Sequence, residues 1–240
     1  MNFSAFKLNK KLLDNIEQMG FRKPTDIQYK AIRPILDGDD VLAIAQTGTG
    51  KTAAFSIPAI DILMRRSRRE GYEGVRCIIM EPTRELAHQV GEVVEKLARN
   101  SGLNILSIYG GVDQIPQIAK LQQGVDILIA TPGRLFDLAA QGYLRTTGCE
   151  LLILDEADHM LDLGFIDDIR QLIKFLPRRR QTLFFSATID EKIKKLAYSL
   201  VFKPVHIRIS PKNMVSRNVI HTLLRVPMIE KRFYLERIYN

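Results

Sequence analysis

Two short segments carry side chains able to hold a polyphosphate. The first is Gln46-Thr47-Gly48-Thr49-Gly50-Lys51-Thr52, which follows the apolar run Val41–Ala45. Glycines at 48 and 50 let the backbone turn several N–H groups inward. A helix starting near Lys51 would aim its first amides and its dipole at the same point. Such a concavity suits phosphate, with Lys51 reaching the outer phosphates and the Thr52 hydroxyl available to Mg²⁺. The general phosphate loop has Gly where this chain has Ala45, so only its second half is matched. The alternative is a glycine-rich turn ahead of an ordinary helix. The second segment, Asp155-Glu156-Ala157-Asp158, follows Leu151–Leu154. Asp155 could hold Mg²⁺ opposite Thr52, largely through water, and Glu156 could orient or deprotonate an attacking water. Taken alone, this block could equally be an acidic helix start. Beside a phosphate loop it becomes the other half of one site.

Bringing positions 51 and 155 together needs a particular architecture. Short apolar runs recur at Val41–Ala45, Cys77–Met80, Ile105–Tyr109, Val125–Ala130, Leu151–Leu154, Thr182–Phe185 and Val205–Ile209. Most are continuous rather than alternating, as in strands buried on both faces of a parallel sheet. Between them lie helical stripes: Leu86, Val90, Val93, Val94 and Leu97, then Ile166, Ile169, Leu172, Ile173 and Leu176. The alternation predicts an α/β doubly wound fold with a mostly parallel sheet and helices on both faces. In such folds ligands bind at the carboxyl ends of the strands, so the residues just after each run should carry the chemistry.

Composition sets the outer bounds. With 46% hydrophobic and 26% charged residues, the 240-residue chain is no disordered, collagen-like or disulfide-scaffold sequence. Cys77 and Cys149 adjoin apolar runs and read as buried free thiols of a reducing compartment, and four scattered histidines offer no zinc site. No apolar run is long enough to span a membrane and no signal peptide is visible, so a cytoplasmic protein without a membrane partner is expected. The net charge of +8 favours a polyanionic partner, most simply nucleic acid.

Taken together, Ala45-Gln-Thr-Gly-Thr-Gly-Lys-Thr52 and Asp155-Glu-Ala-Asp158 resemble the DEAD-box RNA helicases of helicase superfamily 2. Ala45, the departure from the general loop, is what that family has. The resemblance runs from Phe3 to about residue 208. It includes Gly20-Phe-Arg-Lys-Pro-Thr-Asp-Ile-Gln28, Pro82-Thr-Arg-Glu-Leu-Ala87, Gly110-Gly111, Thr131-Pro-Gly-Arg134 and Ser186-Ala-Thr188. It implies a RecA-like P-loop domain that binds ATP with Mg²⁺. It assigns Gln28 to adenine, Phe21 to stacking on the base and Lys23 to its vicinity, with Phe3 bracing the segment. A side-chain amide can pair bidentately with adenine but not with guanine, so ATP is expected over GTP.

The same resemblance implies RNA contacts from Pro82, Thr83, Arg84, Gly110, Gly111, Thr131, Gly133 and Arg134. Hydroxyls, close backbone approach and arginines at helix starts suit a phosphate backbone, giving sequence-independent binding. Each block could equally be a helix cap. Ser186 and Thr188 would couple ATP chemistry to RNA opening through bonds to the acidic block, including Asp158. The clusters Arg65–Arg69 and Arg178–Arg180 read as solvated loops, with nonspecific attraction of RNA as the alternative.

The family enzyme has a second RecA-like lobe with a His-Arg-x-Gly-Arg-x-x-Arg block, and none follows Thr188 here. Residues 1–208 are therefore expected to form the N-terminal ATP-binding lobe. Residues 209–240 would be the interlobe linker and the start of the C-terminal lobe, with a strand at Ile220–Val226 and an amphipathic segment at Met228–Tyr239. The expected function is an ATP-dependent RNA helicase whose second lobe, by supplying an arginine finger, raises the rate about 10³–10⁵-fold. These 240 residues alone are expected to hydrolyse ATP very slowly. The rivals are another superfamily 2 motor acting on DNA, which Gln28 and Gly20-Phe21 argue against, and a non-catalytic RNA-binding module, which intact Lys51, Thr52, Asp155 and Glu156 argue against.

Overall fold

A computed structural model describes residues 2–66, 74–209, 222 and 224–239. A 3₁₀ turn at Phe3–Phe6 leads into α1 (Lys10–Gln18) and α2 (Asp26–Asp37). Then follow β1 (Val41–Ile44), α3 (Lys51–Arg65), β2 (Cys77–Met80), α4 (Arg84–Leu97), β3 (Ile105–Ile108), α5 (Ile115–Gln122) and β4 (Ile127–Ala130). The rest of this unit is α6 (Pro132–Ala140), β5 (Leu151–Leu154), α7 (Ala157–Asp162), α8 (Ile166–Phe175), β6 (Gln181–Ser186), α9 (Glu191–Leu200) and β7 (Val205–Arg208). The seven strands form one sheet in the order β3-β4-β2-β5-β6-β1-β7, with every pairing parallel. All seven expected strands are present, trimmed or extended by a residue or two at their ends.

The way the helices divide between the faces follows from handedness. The steps β1→β2 and β2→β3 move toward the β3 edge, and their helices α3 and α4 share one apolar layer with α1 and α2. The steps β3→β4, β4→β5, β5→β6 and β6→β7 move the other way. Their helices α5 to α9 pack into the second layer. A single right-handed crossover rule requires this, because reversing direction moves the connection to the opposite face. The central strands β2, β4 and β5 are buried at every position, whereas edge strands β3 and β7 are buried only at alternate residues or fewer. The sheet therefore presents crevices at its carboxyl edge wherever α3 or α4 leaves one face beside α7 or α9 on the other.

Cys77 and Cys149 are free and buried, as expected. Burial pushes both thiols up, Cys149 to about 12. In the first arginine cluster, Arg65 ion-pairs with the buried Asp61 and donates to the Lys7 carbonyl, and Arg66 pairs with Glu150. Positions 67–69 of that cluster lie outside the described residues. Arg178 and Arg179 are exposed, but Arg180 is half-buried and donates to the Pro177 carbonyl at 2.8 Å.

Residues Met1–Ser210 and Pro211–Asn240 form separate compact units. In the second, a 3₁₀ turn at Met228–Glu230 leads into α10 (Lys231–Tyr239), where a helical segment was expected. The expected strand at Ile220–Val226 is corrected. Of its positions, 222 and 224–226 are described, and none is in a strand. An extended segment becomes a strand only when a neighbouring chain completes its hydrogen-bond ladder. No helix among the described residues is long and apolar enough to cross a membrane.

Candidate active site

The loop after β1 opens with Ala45, whose N–H donates to the Ser186 carbonyl at 3.0 Å and so ties it to the end of β6. Gln46, Thr47 and Gly48 are exposed. The Thr49 hydroxyl closes the turn onto the Gln46 carbonyl at 2.7 Å. Gly50 caps α3 in the left-handed region, at φ 93°, and no side chain caps that end. The first amides of α3 are thus left to a ligand. The positive φ favours glycine at position 50, and a Cβ there would also have to displace the Gln28 amide, lying 2.6 Å from its Nε2.

Gln28 sits in the first turn of α2 and is 5% exposed. Its Oε1 accepts from the Thr25 N–H at 3.0 Å, completing a capping box, and its Nε2 donates to the Gly50 carbonyl at 3.2 Å. The amide spends one N–H and one lone pair on these bonds and keeps one of each, the pair that adenine would use. Phe21 is half-buried against the core, Lys23 is exposed and Phe3 is buried.

Lys51 begins α3 and is 5% exposed. Its Nζ donates to Glu156 Oε1 at 2.7 Å and lies 3.7 Å from Asp155 Oδ1. Two segments about a hundred residues apart in the chain thus meet through one ammonium group. Thr52, next on α3, is partly buried. Asp155 follows β5 directly, and its Oδ1 accepts from the Glu156 N–H at 2.9 Å. Burial pushes the Asp155 carboxyl up to about 6, with Glu156 adding to the push and Lys51 opposing it. Glu156 caps α7 at φ 49°, a left-handed conformation costly for a non-glycine residue. Nothing in its sequence context announces this. The strain fixes the direction in which its carboxylate leaves the backbone.

The structure adds a residue that the motifs do not include. Glu81 follows β2 directly, is completely buried, and has no hydrogen-bond partner for either carboxyl oxygen among the described residues. Burial pushes its carboxyl well above the ordinary range, and Asp155 and Glu156 push it further, against Lys51. The sequence signal was present: an acid ending an apolar run, as Asp155 does.

Asp158 Oδ2 accepts from both the N–H and the hydroxyl of Thr188, each at 2.9 Å. Burial pushes this carboxyl up, but the hydrogen bonds donated by Thr188 oppose it, and the carboxyl lies below the usual range. Ser186 is fully buried at the end of β6.

The blocks expected to meet RNA gather on the other half of the carboxyl edge, at β2, β4 and β3. Thr131 N–H donates to the Ile108 carbonyl at 3.2 Å, and Glu81 N–H to the Ala130 carbonyl at 2.9 Å, placing the three strand ends side by side. The Arg84 guanidinium lies over the Tyr109 ring at 5.4 Å, and a Cβ on Gly111 would be 3.8 Å from its Nη1. Arg134 Nη2 donates to the Val112 carbonyl at 2.9 Å. Gly110, Gly111 and Gly133 are exposed, and Thr131 makes no cap bond. Thr83 does cap α4, accepting from the Leu86 N–H at 3.3 Å, which leaves its hydroxyl proton free to donate. Pro82 is buried and shapes the turn instead of lining the surface.

A family model for DEAD/DEAH box helicases matches residues 25–196. The ATP-dependent RNA helicase CshA of Listeria monocytogenes is 40% identical over 238 residues, covering 99% of this chain and 45% of the relative. A DEAD-box ATP-dependent RNA helicase CshA of Streptococcus pneumoniae is 39% identical over 240 residues, again covering 45% of its own length. Among solved structures, a DEAD box protein from the hyperthermophile Methanococcus jannaschii superposes with a TM-score of 0.82 at 37% identity, covering 99% of this chain and 63% of that one. The chain spans less than half the length of the curated relatives it matches. Its loop, acidic block and parallel sheet sit in one continuous match, and the chain belongs to the DEAD/DEAH box helicase family.

Proposed function

We propose that residues 1–208 are the ATP-binding lobe of an ATP-dependent RNA helicase, and that residues 209–240 link it to a second, C-terminal helicase lobe. The convergence of Lys51 on Asp155 and Glu156 is the observation that supports this most strongly. Lys51 and the open amides of α3 bind the outer phosphates. Gln28 reads the adenine edge and, through Gly50, carries its presence to the loop. Glu156 accepts a proton from the water that attacks the terminal phosphorus as the bond to the ADP oxygen breaks. The pair formed by Thr188 and Asp158 links this chemistry to the end of β6. RNA is held through its backbone by Thr83, Arg84, Gly111, Thr131 and Arg134, without regard to sequence. The setting is the cytoplasm.

The donors around Lys51 fit Mg²⁺, since the Thr52 hydroxyl and the Asp155 carboxylate are hard oxygen ligands. Among the described residues no group of three or more His, Cys, Asp or Glu side chains closes a cage for a metal ion. Mg²⁺ suits that arrangement, because it keeps much of its water and takes one or two carboxylates plus phosphate. When bound, it neutralises phosphate charge.

The deciding experiment measures ATP turnover by the protein carrying both lobes, with RNA, with DNA of the same sequence and with neither. RNA-specific stimulation is expected. Stimulation by DNA alone would reassign the motor, and its absence with both would leave a binding module. A second expectation concerns pH. Because the folded-state value of Asp155 lies above its ordinary 3.8, at about 6, its contribution to stability is fully present below about pH 4 and is lost as pH rises through about 6. The ionised Asp155 carboxylate is the form that would hold Mg²⁺ beside ATP, so ligand binding would offset that loss. Thermal melts should show greater protection by Mg·ATP at about pH 7.5 than at about pH 5.5. Equal protection at both would contradict the role given to Asp155.

A further inference from the structure

Glu81 has no part in the motifs that carry the family match, yet it faces the same chemistry. Side chains alternate between sheet faces along a strand. In β2, Cys77 and Ile79 belong to the layer under α3, while Ile78 and Met80 belong to the opposite one. Glu81 continues the first series. In β5, Leu151 and Ile153 belong to the α3 layer too, and Asp155 continues that series. The register pairs Met80 with Leu154, so Glu81 and Asp155 are the next neighbours across the strands. The Asp155 N–H donates to the Met80 carbonyl at 3.1 Å, which fixes this alignment to the strand ends. Lys51 enters from α3 on the same face, 3.7 Å from Asp155.

A glutamate here is hard to explain as packing. Its neighbours in β2 are all apolar, and it is completely buried with both carboxyl oxygens unpartnered among the described residues. Buried polar groups without partners are costly and uncommon, and they concentrate where a ligand completes them. The group that could complete this one must donate hydrogen bonds or carry positive charge, and it must lie beside Asp155. Water on a divalent cation does both.

We propose that Glu81 is a positioning residue for the Mg·nucleotide complex. Its carboxyl oxygens would accept hydrogen bonds from water carried by the cation, while Asp155 would be one of the residues that hold the cation. The role is assigned to water because, among the described residues, no group of three or more His, Cys, Asp or Glu side chains could hold a metal ion directly. A carboxylate in this outer position orients the inner ligands and raises the affinity of the site for its metal. The inference rests on the Mg·nucleotide reading of the Lys51–Asp155 pocket.

The test uses the 240-residue chain and a fluorescent ADP analogue, titrated with the cation chelated and at a series of Mg²⁺ concentrations. Wild type, Glu81→Gln, Glu81→Ala and Glu81→Asp are compared, with thermal melts alongside. The wild type should bind the analogue more tightly as Mg²⁺ is added. If it does not, the Mg·nucleotide reading itself fails. In Glu81→Gln and Glu81→Ala the Mg²⁺ concentration giving half the effect should rise about 10–100-fold. Binding without Mg²⁺ should stay within a factor of two or so of wild type, and Glu81→Asp should recover part of the loss. Both neutral variants should fold, since they remove an unpartnered buried acid. A half-effect concentration unchanged in both, beside a wild type that does respond to Mg²⁺, would overturn the role of Glu81 alone. A shift in melting temperature without that change would make Glu81 a structural residue only.

Discussion

Replacing Lys51 with alanine is expected to abolish useful nucleotide binding and, separately, to weaken the fold without ligand. The first effect follows from position. Lys51 is the buried cation at the mouth of α3, and charge-assisted bonds from an ammonium to phosphate are each worth about 1.5–3 kcal/mol. Losing one or two of them lowers affinity roughly 10²-fold or more. The second effect follows from the carboxyls around it. Removing one partner of a buried ion pair costs about 3–5 kcal/mol when the remaining charge cannot adjust. Here it can adjust: Asp155 already sits near 6, and Glu81 is pushed higher than its ordinary range. Removing Lys51 takes away the charge that opposes the upward push on both acids, which relieves part of that cost and leaves about 2 kcal/mol. That corresponds to a drop in melting temperature of roughly 4–8 °C, smaller at acid pH. Calorimetric titration with Mg·ATP and melts at two pH values check both parts. If the variant bound ATP within about threefold of wild type, the phosphates would lie elsewhere, and the account of the pocket would fall with them.

How legible the site was depends on whether the chemistry is local in the chain. Gln46–Thr52 and Asp155–Asp158 could be read directly, because a turn, a helix start and the needed side chains are consecutive residues. Their convergence was also legible, since buried parallel strands bring their carboxyl ends together. Glu81 obeys the same rule of position but belongs to none of the motif blocks. The pairing of Lys51 with Glu156 was beyond the sequence. It depends on the left-handed turn at Glu156, and that turn is imposed by the junction of β5 and α7. Arg76, nearly buried and bonded to Glu150 and to the Leu63 and Arg66 carbonyls, was invisible for a similar reason: its partners are scattered along the chain. The strand expected at Ile220–Val226 is a miss in the other direction at its described positions, 222 and 224–226. Its apolar pattern was real, but pattern alone supplies no neighbouring strand.

Replacing Glu156 with glutamine should produce an enzyme that binds ATP better and hydrolyses it far worse. The Glu156 carboxylate holds Lys51 at 2.7 Å, so phosphates must compete with it for the same ammonium. A neutral amide keeps the shape and the same backbone strain, but its bond to the ammonium is roughly half as strong. About 1 kcal/mol of competition is released, and ATP affinity should rise several-fold. Turnover moves in the opposite direction. An amide cannot take the proton of the attacking water, and losing a general base costs about 10²–10⁴ in rate. RNA-stimulated turnover by the protein carrying both lobes should fall by that factor, while the 240-residue chain should bind a fluorescent ATP analogue more tightly. The two measurements separate the two roles of one side chain. Turnover that survived the change would remove Glu156 from the chemistry. Weakened binding would show that its contact with Lys51 organises the pocket and does not compete for it.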